Sequence, residues 1–107
     1  KQAVINAKEG DTELTLKELT PVRLLKNNFH QTIKDAYNNN ASKEELQNLL
    51  GRGRAKKGMF EGDLDDGELE IGQIAGLLDN LKSAEEIVKS LVSEFNDAKN
   101  QIINTSF

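Results

Sequence analysis

Residues 20–40, TPVRLLKNNFHQTIKDAYNNN, carry the clearest helical pattern in the chain. Thr20 is a typical N-cap, and Pro21 suits the first helical position because its missing N–H needs no partner there. Apolar side chains then recur every three or four residues, at Val22, Leu25, Phe29, Ile33, Ala36 and Tyr37. The stretch therefore predicts one amphipathic helix that begins at Thr20 and ends at the three asparagines.

Two further helices follow from capping signals. Ser42 with Glu45 forms a capping box for a short helix that runs to Leu50 and ends at Gly51. Ser83 with Glu86 forms the same motif before a longer helix. The apolar stripe of that longer helix consists of Ile87, Leu91, Phe95, Ala98 and Ile102, broadened by Val88 and Val92. Between the two, residues 71–81 are mostly apolar and predict a helix that is buried on more than one side.

The first nineteen residues predict the end of a helix and one extended segment. Apolar residues in 1–7 suit a helix that stops at Gly10 and Asp11, and residues 12–17 alternate between polar and apolar. One strand cannot form a sheet alone, so we expect it to pair with missing sequence or with another copy. The chain is thus predicted to be one mainly α subdomain with one or two short extended segments. Its parts are 1–19, a helical hairpin in 20–50, a glycine-rich charged loop in 51–70, and two helices in 71–107.

Composition excludes several classes of function. Only 36% of the 107 residues are apolar and 5% aromatic, so the core must be small. The chain has no cysteine and one histidine, which disfavours a metal site, and we assign none. A net charge of −4 disfavours nucleic-acid binding. No run of apolar residues is long enough to cross a membrane, and we expect a cytoplasmic protein.

Several patterns suggest binding or catalytic sites, but each lacks a residue or a neighbour that such a site requires. The spacing in Gly53–Met59 is that of a phosphate-binding loop, yet Met59 stands where the lysine belongs. The acidic run after Asp63 suggests a calcium loop, yet Ile74 replaces the terminal glutamate. The basic side chains in 52–57 could bind a phosphate or RNA, but we favour the interpretation that they belong to a solvated loop. His30 is interpreted as a surface or boundary histidine rather than a catalytic base.

Gly72-Gln73-Ile74-Ala75-Gly76 is the sharpest local feature. Two glycines bracket a glutamine, whose amide offers both a donor and an acceptor and could meet the carbonyl and N–H edge of a flavin. Close helix packing at the glycines explains the same pattern. Residue chemistry alone favours packing.

The order of these pieces resembles the closing third of the superfamily of nitronate monooxygenases and flavin-dependent enoyl-acyl-carrier-protein reductases. The resemblance rests on five segments in sequence: TPVRLLKN in 20–27, a glycine-rich loop, EGDLDDG in 61–67, IGQIAGL in 71–77 and SAEEI in 83–87. That family adopts an eight-stranded β/α barrel that binds FMN, so the resemblance implies the C-terminal part of a TIM-type barrel flavoenzyme. Gly72 and Gln73 match the family's "GQ" pair and are expected near the flavin ring or its substrate face. Arg23 and Lys26 match a helix with a structural role.

The resemblance also implies what this chain lacks. The family's phosphate loops, barrel strands and catalytic histidine lie upstream, so no catalytic residue is assigned here. We expect an oxidoreductase in the full-length parent, but neither activity nor bound FMN in the fragment alone. Its partner would be the missing N-terminal barrel or a second copy, and we expect a homo-oligomer. The alternative is a stand-alone helical module for protein interaction or oligomerisation.

Overall fold

The computed structural model describes residues 1–106. Its helices are α1 Gln2–Ile5, α2 Asn28–Asn38, α3 Lys43–Leu50, α4 Arg54–Met59, the 3₁₀ helix Gln73–Leu77 and α5 Ala84–Ile103; its strands are β1 Thr12–Thr15 and β2 Val22–Leu25. Helix accounts for 51% of the chain and strand for 8%, so the predicted mainly α class is confirmed.

The helix predicted from Thr20 begins seven residues too early. Val22–Leu25 forms β2, and α2 starts only at Asn28. Asn27 is the true N-cap, with an extended backbone and a side-chain oxygen that accepts a hydrogen bond from the backbone N–H of His30. The Thr-Pro signal was wrong because pairing with a second strand, which buries Leu24 completely, outweighs a local capping preference.

The partner of the predicted extended segment lies within the chain. β1 pairs antiparallel with β2, with Thr12 opposite Leu25 and Thr15 opposite Val22. A second segment lines the other edge of β2, where the N–H of Leu25 donates to the carbonyl of Leu69 at 3.0 Å. The expectation that this strand needs missing sequence or another copy was therefore wrong.

The capping boxes are confirmed. Ser42 and Glu45 make both reciprocal hydrogen bonds at the start of α3, and Ser83 and Glu86 do so at the start of α5. Gly51 ends α3 as predicted, with a positive φ of 65° that favours glycine. Helix α5 runs for 20 residues, and none of its side chains is buried.

The predicted apolar helix in 71–81 is replaced by a short 3₁₀ helix. Only Ala75 is buried there, whereas Ile74, Leu77 and Leu81 are exposed, so the prediction of burial on several sides was wrong. Two glycines in the first six residues weaken an α-helix here. Within the loop predicted for 51–70, residues Arg54–Met59 form the short helix α4.

Two small hydrophobic clusters hold the fold. Leu16, Leu24, Phe29 and Ile33 form the larger one between the hairpin and α2. Ala7, Leu25 and Ala75 form the smaller one, which joins the start of the chain to the 3₁₀ helix. Of the helices within residues 1–106, none combines the length and the apolar character needed to cross a bilayer.

Candidate functional site

Gln73 lines an open cavity of about 470 Å³, and Gly72 precedes it in the chain without lining the cavity. Its walls come from two distant segments and from the two strands: Lys8, Glu9 and Gly10; Gln73, Gly76 and Leu77; and Thr12 of β1 with Arg23 of β2. The 3₁₀ helix thus faces the turn that follows α1 across this cavity. Lys8, Thr12 and Arg23 were not predicted here, because no spacing in the sequence connects them to Gln73.

The turn opposite Gln73 is fixed by its own hydrogen bonds. The N–H of Lys8 donates to the Asp11 carboxylate at 2.7 Å, and the N–H of Asp11 donates back to the Lys8 carbonyl at 3.1 Å. Gly10 has a φ of 86°, a conformation that side-chain-bearing residues rarely adopt. A rigid wall therefore faces the 3₁₀ helix.

The two glycines of the GQIAG segment have different roles. A Cβ on Gly76 would lie 3.2 Å from the backbone N of Glu9 and the carbonyl carbon of Lys8, so the small residue permits close packing there. A Cβ on Gly72 would meet only Ile74, at 3.8 Å, and Gly72 has an ordinary φ of −76°. Packing thus explains Gly76, but nothing in the described chain explains Gly72.

Gln73 and Arg23 supply the polar groups of the cavity. Gln73 is exposed, so its amide can both donate to a ligand and accept from one. One terminal nitrogen of Arg23 donates to the carbonyl and the hydroxyl of Thr12, both at 3.2 Å, which holds the half-buried guanidinium against β1. With Lys8, the lining carries two cations and only one carboxylate, that of Glu9. The cavity therefore suits a polar ligand with anionic character.

His30 lies away from this cavity and is buried, contrary to the prediction of a surface or boundary position. Its Nε2 is 3.3 Å from the carboxylate of Glu13. Burial lowers the pKa of His30, although the nearby Glu13 acts in the opposite direction. It lines a separate cavity of about 310 Å³ with Glu13, Glu18, Lys34 and Tyr37 among others. The structure does not bring His30 together with Gln73.

Tyr37 and Glu18 both line that second cavity. The Tyr37 hydroxyl donates to the Glu18 carboxylate. Burial, with a further contribution from this carboxylate, raises the pKa of Tyr37 to about 12. At neutral pH Tyr37 is therefore a fixed hydrogen-bond donor rather than an acid or base.

The basic cluster in 52–57 is largely engaged within the chain. Arg54 donates to the carbonyls of Leu50 at 2.8 Å, Leu49 at 3.1 Å and Asp66 at 2.9 Å. Lys57 pairs with Asp63 at 3.2 Å and with Asp66 at 3.5 Å. Because Arg54 and Lys57 make these contacts within the chain, they do not support the interpretation of the cluster as a phosphate-binding site.

The acidic loop is likewise organised by internal hydrogen bonds. A carboxylate oxygen of Asp63 accepts from the N–H groups of Asp65 and Asp66, at 3.0 and 2.8 Å. Gly58 and Gly67 pack backbone against backbone, where any Cβ would collide. Within residues 1–106 no three His, Cys, Asp or Glu side chains are grouped so that they could hold a metal ion.

Comparison with known proteins assigns the chain to a family. The family model for nitronate monooxygenase matches residues 1–94. No curated protein matches the chain. Among solved structures, FabK from Thermotoga maritima is 29% identical with a TM-score of 0.76, and a point mutant of the same protein is 27% identical with a TM-score of 0.72. Each match covers 95% of this chain but only 32% and 29% of FabK.

The chain therefore spans about a third of the length of the structures that it resembles. Its fold corresponds to one part of a TIM-type barrel protein, as predicted. The chain belongs to the nitronate monooxygenase family. FabK is an enoyl-acyl-carrier-protein reductase of the same superfamily, so the resemblance found in the sequence is confirmed.

Proposed function

We propose that this chain is the C-terminal portion of an FMN-dependent oxidoreductase of the nitronate monooxygenase or enoyl-acyl-carrier-protein reductase type. The family match over residues 1–94 and the similarity to FabK support the oxidoreductase class. One observation carries the assignment of a site: the GQ pair combines a glycine with open space and a glutamine with an exposed amide. Both features suit a ligand that the rest of the parent protein brings to this surface.

The residues fit a flavin. Without a Cβ, Gly72 leaves room for a flat ring to approach its backbone, and the only nearby side chain is Ile74. Gln73 offers one hydrogen-bond donor group and one acceptor, which match the alternating N–H and C=O groups along one edge of the ring. Bound FMN would supply hydride or electron transfer. Gly72 and Gln73 would orient the ring, and neither would take part in proton transfer.

By itself the chain is proposed to be inactive and free of flavin. Two residues at one edge of a ring cannot bury a cofactor, because binding sites enclose most of the ligand surface. The remaining contacts would come from the N-terminal barrel of the parent. Exposed apolar side chains of the 3₁₀ helix, Ile74 and Leu77, would pack against that barrel.

A chimera tests the assignment. The matched third of Thermotoga maritima FabK would be replaced by this chain, and FMN binding would be followed by fluorescence and by absorbance between roughly 350 and 500 nm. We expect the chimera to bind FMN and the isolated chain to remain colourless. Gln73→Ala should raise the FMN dissociation constant about tenfold, the loss expected for one or two hydrogen bonds.

Gln47→Ala is the matched control, because Gln47 is an exposed glutamine on α3, outside the cavity. If neither Gln73→Ala nor Gln47→Ala changes the FMN affinity, Gln73 does not contact the flavin. Two assays of the chimera then separate the activities: nicotinamide oxidation with an enoyl thioester, and oxygen consumption with a nitronate. The absence of both activities in an FMN-loaded chimera would contradict the proposed oxidoreductase function.

A further inference from the structure

Arg23 carries a positive charge that no acidic side chain of residues 1–106 neutralises. None of the ion pairs in this part of the chain includes Arg23. Its Nη1 donates to the carbonyl and the hydroxyl of Thr12, which are both neutral acceptors. Arg54, in contrast, donates from all three of its guanidinium nitrogens to carbonyls of the chain. Nε and Nη2 of Arg23 are therefore available to a ligand, and a half-buried cation favours an anion beside it.

The backbone holds Arg23 on the same side of the sheet as the 3₁₀ helix. Residues two apart in a strand share a face, so Arg23 lies on the face of Leu25, which packs against Ala75. The carbonyl of Arg23 accepts from the N–H of Ile71 at 3.1 Å, and Ile71 precedes Gln73 by two residues. The position of the guanidinium relative to Gln73 is thus set by backbone hydrogen bonds rather than by a flexible loop.

Arg23 is also the dominant charge of the Gln73 cavity. Lys8 and Glu9, the other charged residues of the lining, are both exposed and of opposite sign, so solvent screens them and their charges offset each other. The guanidinium is half-buried, and it stays protonated at any pH at which the chain is folded. The cavity therefore presents one fixed cation beside the glutamine amide.

We infer that Arg23 stabilises the reduced form of the flavin whose ring Gln73 binds. This inference rests on the proposed function, because Gln73 must lie at the edge of the ring. A hydride from a donor such as a dihydronicotinamide brings two electrons and one proton to the ring, and the donor leaves as the oxidised nicotinamide. The neutral ring thereby gains one negative charge, which N1 and the neighbouring C2 carbonyl share.

The C2 carbonyl belongs to the edge that the amide of Gln73 matches, so the free nitrogens of Arg23 would donate to the atoms on which the charge develops. A donor that is already in place needs no reorganisation when the charge appears, and it therefore favours the reduced ring over the oxidised one. Arg23 would act on the energy of the reduced cofactor and would transfer no proton, because its guanidinium does not titrate.

The midpoint potential of FMN bound to the FabK chimera tests this inference. Arg23→Gln should lower the potential by about 30 mV, which corresponds to a tenfold loss of stabilisation of the two-electron reduced form. Arg23→Met, a second uncharged variant that keeps the apolar stem, should lower it equally, so the result does not depend on the folding of one variant. Arg23→Lys keeps the charge and should retain most of the wild-type potential. Arg52→Gln, which removes an exposed arginine outside the cavity, is the control and should leave the potential unchanged.

The dissociation constant of oxidised FMN, measured on the same variants, separates this role from the alternatives. It should stay within about twofold of the wild-type value, because the oxidised ring is neutral. An equal loss of affinity for oxidised and reduced FMN would mean that Arg23 holds the phosphate or supports the fold, and the inference would be wrong. It would also be wrong if Arg23→Gln weakened only the binding of a nicotinamide dinucleotide and left the potential unchanged.

Failure of the inference and failure of the proposed function give different results. If Gln73→Ala weakens FMN binding but both uncharged variants of Arg23 keep the wild-type potential, Gln73 stays in the flavin site and the role of Arg23 is refuted. A chimera that binds no FMN, beside an intact FabK that does, refutes the proposed function and this inference together.

Discussion

The side-chain amide of Asn27 donates to the backbone carbonyl of Gly67 at 2.8 Å, joining positions 40 residues apart. The same nitrogen donates to the carbonyl of Leu64 at 3.0 Å, while its Oδ1 accepts from the N–H of His30. One side chain thus begins α2 and holds the acidic loop against it. The loop in turn leads through the segment that borders β2 to Gln73, so Asn27 helps to position the candidate site.

Asn27→Ala should lower the free energy of unfolding by about 2–3 kcal/mol. The lost N-cap contributes about 1 kcal/mol, and each of the two loop hydrogen bonds contributes about 1 kcal/mol. Urea denaturation at one fixed protein concentration measures the change. Asn28→Ala is the matched control, because the exposed Asn28 makes only a marginal 3.5 Å contact with Asp65. Equal losses for the two variants would contradict the role given to Asn27.

The helix boundary at Asn27 shows where sequence reasoning stops. Thr20-Pro21 and Asn27 are both acceptable caps, and the apolar spacing of Val22 and Leu25 continues smoothly into α2. The choice between them depends on β1, which offers β2 a ladder of backbone hydrogen bonds. In contrast, α3 and α5 each have a capping box whose two hydrogen bonds join residues three apart. Such local signals could be read directly, whereas pairing between separate segments could not.

The residues of the candidate site fall into the same two groups: those with a local sequence signal and those that only folding brings together. Gly72 and Gln73 belong to a short sequence motif, and the family resemblance links this motif to flavin binding. Their contact with flavin stays a prediction. Lys8 and Arg23 were not selected for the cavity, since only folding brings residues so far apart in sequence to Gln73. Leu77 was predicted to be buried and instead lines the open cavity.

Gly76→Ala and Gly72→Ala should have opposite consequences. Alanine at 76 would press on the rigid backbone of Lys8 and Glu9, so we expect a loss of about 1–2 kcal/mol in unfolding free energy. Alanine at 72 has room, and the stability of the chain should be unchanged or slightly higher. In the FabK chimera the order reverses, because Gly72→Ala should obstruct the flavin. Stability from urea denaturation and FMN affinity together check this. A stable Gly72→Ala chimera with full FMN affinity would show that the open space at Gly72 does not serve the cofactor.

Arg54→Lys should destabilise the chain by about 2 kcal/mol although the charge is kept. The guanidinium donates to three carbonyls and stacks on Phe29, with its central carbon 4.4 Å from the ring centre. A lysine has one nitrogen and cannot reproduce this fork. Arg52→Lys, at an exposed position two residues earlier, should leave the urea midpoint almost unchanged. Similar urea midpoints for the two variants would mean that the hydrogen bonds of Arg54 do not stabilise the contact between α3 and the acidic loop.

Acidification below pH 6.5 should weaken the fold through His30. Burial holds the folded-state pKa of this histidine below its ordinary value of 6.5, and it outweighs the opposing attraction of Glu13; the cations Lys26 and Lys34 also lower the pKa. The neutral ring is thus the form that the folded chain favours.

The contribution of His30 is therefore fully present above pH 6.5 and is lost as the pH falls from 6.5 through the lower folded-state pKa. Glu68 acts in the opposite direction, because burial raises its pKa and its protonation favours the folded chain. The measurement is the difference between wild type and His30→Gln in unfolding free energy, taken from urea curves at pH 7.5 and pH 5. Since His30 is the only histidine, this difference should shrink or change sign at the lower pH. If it stays constant between the two pH values, His30 does not titrate on unfolding in this range, and its burial against Glu13 has no pH-dependent effect.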